Sequence, residues 1–302
     1  MKLSVETRAL TRSFGRIQAV RELDLAIEEG SVYALMGPNG AGKSTLIKLL
    51  MNLISPSSGY AQLLGMESSG LRGRRMEEIG YVSENQKLPE WMTVDQYLSY
   101  CRPFYPKWDR ALEQQLVARF ELTPKQQLKR LSRGLRMKVA LASVLAFRPR
   151  LLILDEPLSG LDPLVRDELL EGLNELKHQT TILLSSHDLA EIDSFASHVG
   201  YLDSGQLLLS TTMKDLRHRF RRVEATIGRP VETPATMPAE WTNFALTATG
   251  ACWVEREYDE EASARRAAAV FPGTEITAKS LSLREVFLAI AHAERKTKGG
   301  AR

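Results

Sequence analysis

Apolar and polar positions alternate from the start of this 302-residue chain, and the period of the alternation changes several times along it. Residues 3–10 read as a strand, and residues 11–20 as a turn and a short strand. Residues 23–27 alternate as a half-buried strand does, before Glu29-Gly30 turns the chain. Residues 32–36, Val-Tyr-Ala-Leu-Met, form a continuous apolar run, as in a strand buried on both faces. A helical stretch at 46–50, a turn cluster at 55–59 and strands at 60–64 and 79–83 follow. From 88 to about 127 the period becomes helical, with Thr93 placed to cap a helix start. Trp91, Tyr97, Tyr100, Phe104, Tyr105 and Trp108 crowd this region and are expected to be the core of a small helical subdomain. A third helix is predicted over 137–147, stopping at Arg148-Pro149. A strand at 151–155, helix at 164–177, strand at 180–184, helix at 188–194 and strand at 199–202 then alternate. That order implies a doubly wound, mostly parallel α/β sheet.

Past residue 215 the character shifts. The run Arg217-His218-Arg219-Phe220-Arg221-Arg222 precedes a predicted strand at 223–227 and a linker carrying Pro230, Pro234 and Pro238. A strand at 252–257, an Ala-rich helix at 261–270 and a closing helix at 283–293 complete the pattern. We read 1–219 as one domain with the helical subdomain inserted at about 88–147, and 220–302 as a small α/β accessory domain. The arginine run suits anionic lipid or nucleic acid, but at a domain joint it is more commonly a solvated helix end.

Composition narrows the classes. An apolar fraction of 43% and a charged fraction of 25% are those of an ordinary globular chain. The net charge of +3 lies entirely after Leu216, where 14 Lys and Arg face 11 Asp and Glu. The larger domain therefore lacks the basic stripe of a nucleic-acid binder, and no nucleic-acid partner is expected. Two cysteines, Cys101 and Cys252, do not make a disulfide framework and fit a reducing compartment. No secretory signal is expected, because Met1-Lys2-Leu3-Ser4 runs straight into a strand pattern. The longest apolar run, 139–147, is far short of the roughly 18–20 residues that span a bilayer.

The chemistry is concentrated in Gly37-Pro38-Asn39-Gly40-Ala41-Gly42-Lys43-Ser44-Thr45, which follows a buried strand and opens a helix. That is the context of a phosphate-binding loop, G-x-x-x-x-G-K-[ST]. Its glycines let backbone N–H groups curl inward as an anion nest, and the helix N-terminus adds partial positive charge. Lys43 is the residue to reach β- and γ-phosphates, and the Ser44 hydroxyl to hold Mg²⁺. A second metal ligand is expected at Asp155, on a strand predicted to lie beside the one feeding the loop. Glu156, one residue further, is the candidate general base. His187, at the C-terminal edge of a parallel strand, is placed to contact the γ-phosphate and hold water in line. Asp162-Pro163 reads as an N-cap followed by a first-turn proline.

Residues 3–216 resemble the ATP-binding subunit of ABC transporters. The resemblance rests on the loop Gly37 to Thr45, on Asp155 and Glu156, on the turn Ser159-Gly160-Leu161-Asp162, and on His187. Phe14 matches the aromatic that stacks on adenine in that family. Leu131-Ser132-Arg133-Gly134-Leu135 stands where the family carries Leu-Ser-Gly-Gly-Gln. The resemblance implies a P-loop NTPase fold with a mostly parallel central sheet, an antiparallel β part and an inserted helical subdomain. It also implies that ATP and Mg²⁺ are the cofactors. Ser132 and the N–H of Gly134 would contact the γ-phosphate held by a second subunit, so that ATP joins two chains head to tail. Two positions depart from the pattern: Arg133 and Leu135 replace Gly and Gln. The family's glutamine after strand 79–83 aligns with Glu84, a ligand for metal or water, with Gln86 as a second candidate.

Phe104 to Asp109 and Ser282 to Phe287 resemble single-domain subunits of ABC-2-type exporters. The implied partners are an integral-membrane permease and a second ATPase subunit, identical or similar. The implied location is cytoplasmic, on the inner face of the membrane. The alternative is a soluble ABC-type ATPase acting on ribosome or DNA. Against it, only one phosphate loop is present, and no heptad run separates the loop from Leu131.

Overall fold

The structure, a computed structural model, describes residues 2–176, 179–188, 192–227, 233–234, 236–247 and 250–299. Contacts divide the chain into two compact units, Met1–Asp188 with Ser194–Ser210, and Leu189–Asp193 with Thr211–Arg302.

The first unit begins with a hairpin of β1 (Leu3–Phe14) and β2 (Ile17–Glu28), whose alternating burial matches the alternation in the sequence. These two long strands absorb the expected short ones. With β4 (Ser58–Leu63) and β5 (Met66–Glu67) they form an antiparallel sheet in the order β2-β1-β4-β5. Between β2 and β4 lie β3 (Val32–Met36), buried throughout, and α1 (Lys43–Leu50).

β6 (Ile79–Val82) leads into the helical region, where α2 (Val94–Cys101) starts on a capping box of Thr93 and Gln96. α3 (Arg110–Arg119) follows, and then α4 (Arg133–Leu145). The third helix thus starts four residues before the expected 137. The Ser132 hydroxyl accepts from the Leu135 N–H and closes the first turn there.

The expected aromatic core is only partly present. Tyr105 stacks on Phe147 at 3.8 Å, but Trp91, Tyr100 and Phe104 are exposed. Val94, Leu98, Leu116, Phe120 and Leu128 are buried instead, so apolar side chains other than the expected aromatics fill this interior.

The chain then forms β7 (Leu151–Asp155), α5 (Pro163–Asn174), β8 (Thr181–Ser186), β9 (His198–Asp203) and β10 (Gln206–Thr212). Asp162 caps α5 by accepting from Val165, with Pro163 in the first turn, as the sequence indicates. Of the helix expected at 188–194, residues 189–191 lie outside the described residues, and 192–194 form a turn rather than a helix. The six-stranded sheet runs β10-β9-β3-β8-β7-β6, and the pairs β3/β8, β3/β9, β7/β8 and β6/β7 are parallel. The expectation that the Asp155 strand adjoins the loop strand is therefore corrected, since β8 lies between β3 and β7. Apolar runs of equal character mark strands as buried but do not rank their neighbours.

In the second unit, α6 (Met213–Arg219) precedes β11 (Arg221–Thr226), β12 (Trp241–Thr247), β13 (Gly250–Glu255), α7 (Glu260–Val270), β14 (Glu275–Ser280) and α8 (Leu283–Gly299). The strands form an antiparallel sheet, β12-β13-β11-β14. Its own core includes Trp241 stacked on Trp253 at 3.9 Å, with Phe271 close by. β12 and β14 escape sequence reading because each exposes most of its residues. Among the described residues no helix is long and apolar enough to cross a membrane.

In the helical region Glu113 is buried and accepts from Arg102 at 2.6 and 2.8 Å and from Trp108 Nε1 at 2.7 Å. Burial pushes its carboxyl up, but the bonds from Arg102 and Trp108 outweigh that and hold it below the usual carboxylate range. A depressed carboxyl contributes stability above its unfolded pKa and loses it as pH falls through its folded pKa. Glu113→Gln is therefore expected to cost about 1–3 kcal/mol at neutral pH, read as a lower urea midpoint. The gap to wild type should narrow in acid, and equal midpoints at neutral pH would contradict the assignment.

Candidate functional site

At the C-terminal ends of β3, β7 and β8 lies a cleft of about 360 Å³, lined in part by Gly40, Lys43, Ser44, Glu84, Glu156 and His187. The loop that opens it is shaped by close backbone approach. A Cβ on Gly37 would come 2.1 Å from the Leu202 carbonyl, and one on Gly42, at φ +109°, would come 2.3 Å from that of Ala19. Only glycine fits at either position. Asn39, Ala41 and Thr45 also line the cleft. Pro38 contributes through its carbonyl, which accepts from Ala41 N at 3.1 Å.

Lys43 is buried, with its ammonium donating to the Gly37 carbonyl at 2.7 Å and the Pro38 carbonyl at 3.3 Å. It also pairs with Glu156 Oε1 at 3.1 Å. The other oxygen, Glu156 Oε2, lies 2.7 Å from His187 Nδ1. One carboxylate thus links the two side chains expected to act beside it. Glu156 holds φ at +49°, a left-handed conformation that is unusual and costly for a non-glycine residue and that clusters at functional sites.

Asp155 is buried one residue earlier, where its Oδ1 accepts from Ser44 Oγ at 3.0 Å. Although β8 separates its strand from the loop strand, the carboxylate still reaches across. Two oxygen donors at this spacing fit a hard divalent cation such as Mg²⁺.

The residue that sequence reasoning missed is Ser185, on the intervening β8. Its hydroxyl donates to Asp155 Oδ1 at 2.7 Å and accepts from the Glu156 N–H at 2.8 Å. It fixes both acids at once. The available signal was the pair Ser185-Ser186 closing a strand whose centre is apolar. Beside Asp155, Tyr81 has its hydroxyl pKa raised, first by burial and then by the Asp155 charge, with a bond to Ser83 partly offsetting both.

The remaining candidates stand apart. Phe14 is exposed at the end of β1, is absent from the cleft wall, and carries the Arg12 guanidinium 4.6 Å from its ring centre. Ser132 and Gly134 do not line the cleft either. Gly134 is buried, and a Cβ there would come 3.1 Å from Val165. Glu84 reaches the cleft rim, whereas Gln86 folds back to accept from the N–H and hydroxyl of Ser83. Among the described residues no cluster of three or more His, Cys, Asp or Glu forms a further metal site.

A family model described as ABC transporter matches residues 20–159. An uncharacterized ABC transporter ATP-binding protein of Bacillus subtilis, YcbN, is 31% identical over 72% of this chain and 72% of its own length. The chain spans from 38% to 62% of the length of other curated relatives it matches. A solved ATP-binding subunit of an ABC transporter superposes with TM-score 0.65 at 29% identity, over 70% of this chain and 91% of that one. The cassette MJ0796, solved as a dimer, shares the fold with TM-score 0.63 at 22% identity, over 69% of this chain and 98% of that one. With the phosphate loop, the paired acids and the parallel sheet already described, these likenesses establish that the chain belongs to the family of ABC transporter ATP-binding proteins.

Proposed function

We propose that this chain is an ATP-hydrolysing subunit that pairs with a second copy or a similar subunit and powers a separate membrane permease, as an exporter. The observation that carries the reading is the convergence of Lys43, Ser44, Asp155, Glu156 and His187 on one cleft.

ATP with Mg²⁺ would supply the labile γ-phosphoryl group, and Ser44 and Asp155 would hold the metal. Everything else falls to the protein. A buried ammonium requires an anion, and in this geometry Glu156 Oε1 provides it. When Lys43 turns to phosphate oxygens, Glu156 Oε1 is released to accept a proton from water. His187 keeps the opposite oxygen oriented, which confines the base to one face of the cleft. Ser185 holds the Glu156 backbone still while the side chain changes partner. Phe14 offers adenine the ring face that Arg12 leaves open.

Ser132 and the Gly134 N–H, outside the wall of their own cleft, are assigned to the partner subunit's nucleotide. They stand at the N-terminal end of α4, where N–H groups favour an anion. The fold shared with a cassette solved as a dimer supports this pairing. Exposed Trp91, Tyr100 and Phe104 on the helical subdomain are assigned to the permease. Export, and a position on the inner face of the membrane, rest on the segments Phe104 to Asp109 and Ser282 to Phe287.

Two variants test the reading. Lys43→Ala should weaken binding of a fluorescent ATP analogue by at least about a hundredfold, from loss of a desolvated charge-assisted contact. Unchanged affinity would reject the loop as the phosphate site. Glu156→Gln should lower steady-state phosphate release by about two to four orders of magnitude while ATP still binds. Wild-type turnover in that variant would exclude Glu156 as the base.

A further inference from the structure

The cleft carries one carboxylate that the hydrolytic arrangement leaves unused. Glu84, just beyond β6, reaches the rim, where its Oε1 accepts from Arg133 Nη2 at 3.3 Å and from Ser159 Oγ at 3.4 Å. Arg133 is the first residue of α4, directly after Ser132. Its guanidinium also lies over the turn after β7, since a Cβ on Gly160 would come 2.8 Å from Nη1. One ion pair therefore ties three segments together at the rim: the loop after β6, the start of α4 and the turn after Glu156.

Of the neighbouring cations among the described residues, Arg133 is the one that pairs with Glu84. Arg136 pairs with Glu90 at 3.6 Å and donates to the Leu131 carbonyl, and Lys87 is exposed. Within the cleft, Lys43 is already matched by Glu156. A triphosphate entering this cleft would meet an additional negative charge at Glu84 unless something offsets it. Arg133 is the group that does. Besides Leu135, these are the positions at which the sequence departs from the family pattern: a carboxylate where glutamine is expected and a guanidinium where glycine is expected. The departures cancel in charge and touch in space.

We propose that Arg133 is a positioning residue for nucleotide binding within its own chain. It neutralises Glu84 and holds that side chain against Ser159, so that the rim presents no net negative charge to the triphosphate. The inference rests on the reading of the cleft as an ATP site.

A double-mutant cycle on the full chain tests it, with a fluorescent ATP analogue titrated in Mg²⁺ as the probe. Arg133→Gly should weaken affinity by about five- to tenfold at low salt, from one uncompensated carboxylate on the cleft rim. Glu84→Gln supplies the background in which the carboxylate charge is absent. Adding Arg133→Gly to Glu84→Gln should change affinity by no more than about twofold from Glu84→Gln alone. Arg133→Lys should keep most of it, and raising the salt should shrink the Arg133→Gly effect. A purely structural role for Arg133 would give the same loss in both backgrounds and little salt dependence, which would overturn the proposal. So would undiminished affinity in Arg133→Gly. If the wild-type chain binds no nucleotide, the reading of the cleft fails as well. Tight wild-type binding with additive variants removes this inference alone.

Discussion

A lysine ammonium withdrawn from water is the constraint around which this molecule is built. Lys43 keeps only 5% of its surface exposed, and an unpaired charge so placed is among the costliest features a fold can carry. Two loop carbonyls and Glu156 satisfy it. Each partner depends on a further element. The carbonyls are brought inward by a loop whose glycines sit against Leu202 and Ala19. Glu156 turns toward the lysine through a left-handed backbone conformation that Ser185 secures from β8. The strand order β3-β8-β7 thus has a chemical consequence: the strand between the loop and the acids supplies the hydroxyl that aligns them. In the proposed cycle, phosphate competes with Glu156 for the ammonium. The same charge balance that holds the site together would then hand the carboxylate to water.

The local features of this site were legible in the sequence. The loop, Asp155, Glu156 and His187 lie in short stretches whose meaning depends on the strand just before them, and the period of those strands is plain. The Asp162-Pro163 helix start and the Thr93 cap were legible for the same reason, since capping chemistry spans only three or four residues. What depends on pairing between distant segments was not legible. Parallel strands with uniform apolar runs look alike, so the position of β8 between β3 and β7 did not follow from them. Ser185 and the Glu84–Arg133 contact escaped with it, because each joins segments far apart in the chain.

Burial was misjudged where side-chain size was taken as its sign. Trp91, Tyr100 and Phe104 are large and apolar, yet they are exposed, while aliphatic residues together with Phe120 and Phe147 fill the interior. In the second unit the indoles of Trp241 and Trp253 are buried, while the edge strands around them expose most of their positions. Edge strands carry a weak alternation signal, which is why β12 and β14 did not stand out.

The central claim is that two chains close on shared nucleotide, the loop of one against the α4 start of the other. Sedimentation of Glu156→Gln protein with saturating ATP and Mg²⁺ tests it most directly. The account predicts a dimer that dissociates when ATP is replaced by ADP. A monomer in ATP, with nucleotide shown to be bound and the membrane partner supplied, would contradict it.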